Sequence, residues 1–309
     1  MPTLRFAPAA IAAHYPLAIA GETPWTPGDA GWSTTVALPD LPNDCIVVPS
    51  FAQPGTAGAD FTATLRAQGA AWTVFPTTRS SCARAPGDPR ATTHIDYFHC
   101  RTALAAPQLT ITVAGPLPPQ RYLVAAGGRE FHRATEPGTA TTQRLVVPAI
   151  SQLTAPTGIR HRICSPTSLA MVLAYHGADI SLAAVTRDCF HAPSHLFGVW
   201  PLAVRTANDA GLLAAVECFT ELDAAAPLLD RGLPIVASIR FAAGALPDSP
   251  MPSTDGHLVV VTGLDRDWVY VNDPAARDAS EVPRQYPRAA FAAAWLSDRG
   301  VGYILSPLG

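Results

Sequence analysis

The residues best equipped for chemistry stand where Arg162-Ile-Cys164-Ser-Pro-Thr-Ser168 runs into an apolar stretch ending at His176. Pro166 has no N–H to lose in a first helical turn, and the neighbouring hydroxyls can satisfy free amides there. No helix breaker follows until Gly177, so Cys164 is expected at a helix N-terminus. Unpaired N–H groups and the positive end of the helix dipole favour thiolate over thiol at that position. Cys164 is therefore read as a nucleophile. Such a nucleophile needs a base that takes its proton and later protonates the leaving group, and a third group that orients the base.

His257 fits the base. It opens a very apolar strand over residues 257–262, directly after the flexible residues 252–256. That strand turns at residues 263–267 and returns over 268–273, so a loop centred on Asp265 places Asp273 opposite His257. A register change of a residue or two substitutes Asn272. A carboxylate both orients imidazole and stabilises imidazolium, which favours Asp273. Acyl transfer also needs donors for the developing oxyanion. The Cys164 N–H supplies one, and Gln152 is the only side-chain amide between residues 144 and 163. Each of these residues has a bland alternative: a core cysteine, a half-buried histidine, an Asn-Asp-Pro turn. Their joint occurrence in this order favours the catalytic reading.

The elements that must hold these residues fall into two halves of the 309-residue chain, which is long enough for two domains. Short β-branched or aromatic runs at 34–38, 45–48, 61–66, 71–75, 94–99, 109–113 and 121–124 are expected strands, joined by turns rich in Pro and Gly. They predict an antiparallel β-sandwich-like domain over residues 1–143. Residues 134–142 are small, polar and turn-forming, and mark the linker. After a short strand at 144–148, helices are expected at the Cys164 segment and near 182–189, 201–210, 221–231 and 288–295. Strands are expected at 234–239, 257–262, 268–271 and 302–305. Residues 144–309 thus form an α+β domain of helices plus an antiparallel sheet. Residues 192–200 and 241–256 supply the specificity loops, and the Pro-containing stretch 243–252 is long enough to form a lid over the cleft.

Composition removes several classes. Net charge of −3 provides no basic field for nucleic acid. All 21 basic residues are Arg, which excludes lysine Schiff-base chemistry. No apolar run reaches the roughly 20 residues of a membrane span. The apolar piece at 7–20 is broken by His14, Tyr15 and Pro16 and is no standard signal peptide, which leaves a cytoplasmic or non-classically exported protein. Six cysteines, Cys45, Cys82, Cys100, Cys164, Cys189 and Cys218, are too scattered for a disulfide scaffold, although a Cys82–Cys100 bridge is conceivable. His94, Asp96, His99 and Cys100 are metal-capable, but in a strand His99 would point away from His94 and Asp96. Cys189, His191 and His195 are read as a helix-end loop. No metal or cofactor is expected.

The wording of the C-terminal half resembles the bacteriocin-processing (double-glycine leader) peptidase-like cysteine peptidases of the papain fold, in particular a bacterial subgroup with a β-rich N-terminal domain. The residues that carry the resemblance lie at 147–152, 164–173, 198–201, 232–239, 256–261, 271–275 and 288–295. It implies a Cys164 nucleophile, a His257 base and acid, an Asp273 orienter and a Gln152 oxyanion donor, acting on a peptide or protein substrate. Two features depart from many relatives. Ser165 stands where they have Gly, and the stretch from Gln152 to Cys164 is longer than in papain relatives. Leader processing itself does not carry over, because leader peptidases proper accompany a transporter. The expected activity is thiol-dependent hydrolysis of peptide or amide bonds. Alternatives are acyl transfer or isopeptide hydrolysis by the same residues, or an inert binding protein whose β half recognises a polysaccharide or protein.

Overall fold

The structure, a computed structural model, describes residues 24–53, 60–78, 87–115, 122–130, 137–297 and 299–307. The described residues before 131 carry strands and no helix: β1 (Thr26–Gly28), β2 (Gly31–Ala37), β3 (Cys45–Ala52), β4 (Phe61–Ala67), β5 (Ala70–Val74), β6 (Ala91–Thr93), β7 (Phe98–Cys100), β8 (Gln108–Val113) and β9 (Leu123–Glu130). They form two antiparallel sheets, ordered β1-β2-β8-β4-β5 and β6-β7-β3-β9. Apolar side chains of both, among them Phe61, Leu65 and Ile111 from one and Val47, Phe51 and Phe98 from the other, meet in one core.

The stretch expected as a strand at 94–99 is instead a hairpin. His94 N–H donates to the Tyr97 carbonyl at 2.8 Å, which ends β6 and starts β7. The metal-capable residues there are spent on packing: His99 Nε2 lies 2.6 Å from Asp44 Oδ1, and Asp96 accepts from the Trp200 N–H at 3.2 Å. Cys100 sits directly across from Cys45 in β3 and forms no disulfide. Cys82, Arg121 and residues 1–23, with the apolar piece at 7–20, lie outside the described residues.

After residue 137 come a single 3-10 turn (Gln152–Thr154), α1 (Cys164–Tyr175), α2 (Leu182–Asp188), α3 (Trp200–Asp209), β10 (Leu212–Cys218), a 3-10 turn (Leu222–Ala225), α4 (Ala226–Leu229), β11 (Ile235–Phe241), β12 (Thr254–Leu264), β13 (Trp268–Asn272), β14 (Pro283–Pro287), α5 (Arg288–Leu296) and β15 (Val301–Pro307). The sheet is antiparallel throughout, in the order β10-β15-β11-β12-β13-β14. Helix α1 packs on β12, and α5 packs on β11. Among the described residues, no helix is long and apolar enough to cross a membrane.

Every residue of β3 is buried. Cys45, Val47 and Phe51 face the core between the two N-terminal sheets, while Ile46, Val48 and Ala52 join the core built by α1, α3 and the C-terminal sheet. A strand covered on both faces reads as a continuous apolar run. Polar contacts reinforce the junction. Buried Arg205 of α3 pairs with Asp60 and donates to the Thr77 carbonyl, Asn208 donates to the Gln53 carbonyl at 2.7 Å, and Val216 N–H donates to Ser50 Oγ at 3.1 Å.

The described part of the expected linker, from residue 137, is strapped down. Arg288, 3% exposed, donates to the carbonyls of Pro137, Ala140 and Asp265 and pairs with Asp223. The Asp223 carboxylate also accepts from the Thr139 and Ala140 N–H groups. Gly138 adopts φ +66°, and a Cβ there would overlap that carboxylate, so the turn requires glycine. Residues 144–148 lie extended without forming the expected strand, clipped by Leu145 N–H to the Thr262 carbonyl. Arg288→Ala leaves three carbonyls and a carboxylate without their shared donor. It should destabilise the chain by about 3–5 kcal/mol. Urea denaturation checks this, and an unchanged midpoint would show that the strap is redundant.

Candidate functional site

Helix α1 begins at Cys164 itself, with Ile163 as its N-cap and no side-chain cap bond. Thr167 donates back to the Ile163 carbonyl at 2.7 Å, closing the first turn. Ser168 reaches across to β12 and donates to the Leu258 carbonyl at 3.0 Å. That bond fixes the helix start beside the residue next to His257.

His257 is buried on β12, opposite Ile239 of β11. Its Nε2 lies 2.7 Å from Asp273 Oδ1. The ring's remaining nitrogen, Nδ1, is thereby left free of Asp273, and the Cys164 thiol and the imidazole influence each other's ionisation. Burial alone would raise the Cys164 thiol. The His257 hydrogen bond and charge, helped by the N–H groups of Leu258 and Ser165, outweigh burial and hold the thiol below its ordinary value. Burial pushes His257 toward the neutral form, but Asp273 and the Cys164 sulfur overcome this and favour imidazolium. Both shifts run in the direction that favours thiolate and imidazolium.

Asp273 is fully buried, just past the end of β13. Oδ1 accepts from His257 and from the Ala275 N–H at 2.9 Å, and Oδ2 accepts from the Tyr286 hydroxyl at 2.7 Å. Burial would raise this carboxyl, yet His257, Tyr286 and the Ala275 N–H keep it below the usual carboxylate range. Asn272, the other orienter the sequence allowed, donates to the carbonyls of Val147 and Pro148 and so anchors the extended segment before Gln152.

Gln152 is 4% exposed, and its Oε1 accepts no hydrogen bond. Its N–H donates to the Pro274 carbonyl at 2.8 Å, and Ser151 Oγ donates to the Ala276 carbonyl at 2.6 Å. The turn bearing Gln152 is thus clipped to the residues that follow Asp273. Ser165, the residue that departs from many relatives, is buried, with its hydroxyl 2.9 Å from the Tyr303 hydroxyl. Tyr303 in turn donates to the Ser165 carbonyl. The other cysteines differ from Cys164. Burial pushes Cys189 up to about 12, burial and Glu217 raise Cys218 well above the thiol range, and Cys45 and Cys100 are fully buried.

Residues 243–252 are tied down rather than free: Leu246 is buried, Arg284 donates to the Asp248 carbonyl, and the Ser249 hydroxyl accepts from the Met251 N–H. Tyr286 escaped the sequence reading because its strand is short and lies between two prolines. Without its hydroxyl, Asp273 holds its charge less well. Tyr286→Phe should raise the acid limb of the pH–rate profile by about one unit while leaving KM unchanged. Profiles of kcat/KM from pH 3 to 8 test this, and an unmoved acid limb would reduce Tyr286 to packing.

A half-buried thiol at a helix start, together with a buried strand histidine paired to a carboxylate in a mixed helix-and-sheet unit, fits a cysteine peptidase-like enzyme. Residues 144–303 match the model of the Peptidase_C39-like family, more than half of the chain, and the protein belongs to that family. A double glycine motif protease from an AMS/PCAT transporter, solved in complex with the leader peptide, is 24% identical over 54% of this chain and 98% of its own, with a TM-score of 0.39. A putative C39-like peptidase from Bacillus anthracis is 18% identical over 54% of this chain and 99% of its own, with a TM-score of 0.41. No curated protein matches the sequence.

Proposed function

We propose that this enzyme hydrolyses peptide or amide bonds with Cys164 as nucleophile, His257 as acid and base, Asp273 as orienter and Gln152 as oxyanion donor. In this reading residues 144–309 form a papain-like peptidase domain, and residues 1–143 form a β-sandwich-like domain packed against it. The observation that supports the reading is the buried His257–Asp273 pair, with Nε2 and Oδ1 2.7 Å apart, on a strand whose next residue, Leu258, is bonded to Ser168 of the helix that Cys164 begins. The thiolate attacks the scissile carbonyl, and the Cys164 N–H and the Gln152 amide receive the developing oxyanion. Imidazolium then protonates the leaving amine. Water deacylates the enzyme, with neutral His257 taking its proton. The substrate is a peptide or protein, and no step calls for a cofactor or metal.

The inert-binder alternative would gain ground from a Cys164 sulfur that is buried or far beyond hydrogen-bond reach of His257; the partial exposure of Cys164 supports the catalytic reading instead. Brief iodoacetamide treatment near pH 6, followed by peptide mapping, should place the label on Cys164 and spare the buried cysteines. Label shared evenly among the cysteines, or missing from Cys164, overturns the reading.

A further inference from the structure

Two hydroxyls near the start of α1 peg the helix to the sheet. Ser165 and Ser168 stand three residues apart, on one face of the helix. Ser168 donates to the Leu258 carbonyl of β12, and Ser165 meets the Tyr303 hydroxyl of β15 at 2.9 Å. β15 and β12 flank β11, so the pegs stand about 10 Å apart across the sheet. A helix start held at two such points resists both sliding and rotation about its axis. The Tyr303 contact is a closed ring. The single phenol proton goes to the Ser165 carbonyl at 3.2 Å, so the Ser165 hydroxyl donates to the phenol oxygen. One phenol thereby grips both the side chain and the carbonyl of the residue that follows Cys164.

Ser165, Ser168 and Tyr303 are all fully buried. Tyr303 lies on a strand paired on both sides, opposite Val216 of β10 and Val236 of β11. Burial pushes its hydroxyl well above the ordinary phenol range, so it stays a neutral donor. Alanine and phenylalanine would fill the same space without drying two hydroxyls, so what the pair adds is orientation. Resting on the hydrolase reading above, we infer that Tyr303 is a positioning residue. Through Ser165 it holds the first turn of α1 so that the Cys164 N–H faces the carbonyl oxygen under attack.

4-Nitrophenyl acetate and iodoacetamide, each read at Cys164 by peptide mapping, separate orientation from reactivity. With the ester, the sulfur adds to the carbonyl, an oxyanion develops, and 4-nitrophenolate leaves as the acetyl thioester forms. With iodoacetamide, the sulfur displaces iodide from carbon and no oxyanion develops. Tyr303→Phe should slow acylation about ten- to a hundredfold, while alkylation at the same pH keeps the parent rate. Ser165→Ala combined with Tyr303→Phe leaves no buried hydroxyl orphaned and so guards the fold. That double variant should acylate no faster than Tyr303→Phe alone. Unchanged acylation in Tyr303→Phe, equal losses in both reactions, or parent acylation restored in the double variant each overturn the proposal. Nitrophenolate release that survives Cys164→Ala defeats the hydrolase reading and this one with it. Release that depends on Cys164 but ignores Tyr303→Phe defeats the positioning role alone.

Discussion

With Cys164 replaced by alanine the chain will cleave no peptide bond, and with His257 replaced by alanine turnover will fall roughly a million-fold, the scale on which a nucleophile or its base counts in a coupled triad. The second substitution also carries a signature that chemistry alone does not require. Burial by itself raises the Cys164 thiol, and the His257 imidazole is the group that opposes it most. Removing the imidazole lets burial act with less opposition, so the thiol should ionise at or above the ordinary value of about 8.5. In the unsubstituted protein the His257 imidazole opposes burial and holds the thiol lower. The rate of iodoacetamide alkylation against pH reads the thiolate fraction directly. His257→Ala should move the midpoint of that curve upward, and at pH 6 the label should no longer favour Cys164. A curve that stays in place would mean the helix start and the N–H groups of Leu258 and Ser165 suffice to hold the thiolate. His257 would then serve only in proton transfer.

Much of this site was legible because its parts sit on strongly patterned elements. The apolar run after Cys164 has helical length, and β12 and β13 are rich in valine and separated by an obvious turn. The residue types followed from the needs of acyl transfer. What sequence could not supply was register. In the hairpin Val260 pairs with Asn272 and Val261 with Val271, after which the ladder shifts so that Gly263 pairs with Tyr270. The pairing therefore runs two residues away from the simple one that set His257 opposite Asp273. Asp273 reaches the imidazole because it stands beyond the end of β13, where the turn stapled by its own Oδ1 and the Ala275 N–H directs the carboxylate back. A bulge is a local backbone event with no composition of its own.

The same limit explains what was missed. Tyr286 belongs to a five-residue edge strand whose position depends on its partner strand. β10 is buried along its whole length, and its Ala- and Leu-rich sequence has no alternation to betray a strand. In the N-terminal half the strands were visible, but the turn at His94 was hidden by β-branched and aromatic neighbours. The junction between the halves was invisible because its contacts pair residues far apart in sequence, such as Asp60 with Arg205 and Ser50 with Val216. The continuous burial of β3 was the one local sign that a second body covers that sheet.

Asp273→Ala is expected to lower kcat/KM by about 10,000-fold, comparable to the loss when a triad carboxylate no longer orients its histidine. It is also expected to destabilise the fold in a pH-dependent way. His257 is raised to about 10 in the folded chain, above the roughly 6.5 of an unfolded histidine. Its pairing therefore contributes fully below about pH 6.5 and is lost as pH rises through about 10. Asp273 is depressed when folded, so its contribution is present above about pH 4 and is lost as pH falls through its folded value. The two windows overlap between about pH 4 and 6.5. There the alanine variant should lose about 3–5 kcal/mol, because a buried imidazolium is left without its counter-ion and must discharge. Near pH 10 the histidine is half neutral in the parent as well, and the difference should shrink. Urea denaturation of both proteins at pH 6 and pH 10 measures it. An equal loss at the two values would assign the cost to the cavity and the missing Tyr286 and Ala275 bonds rather than to the ion pair. Asp273→Asn separates these contributions further: it keeps an acceptor for His257 and Ala275 but removes the charge. Its stability should therefore lie between those of the parent and the alanine variant at pH 6, and close to the parent at pH 10.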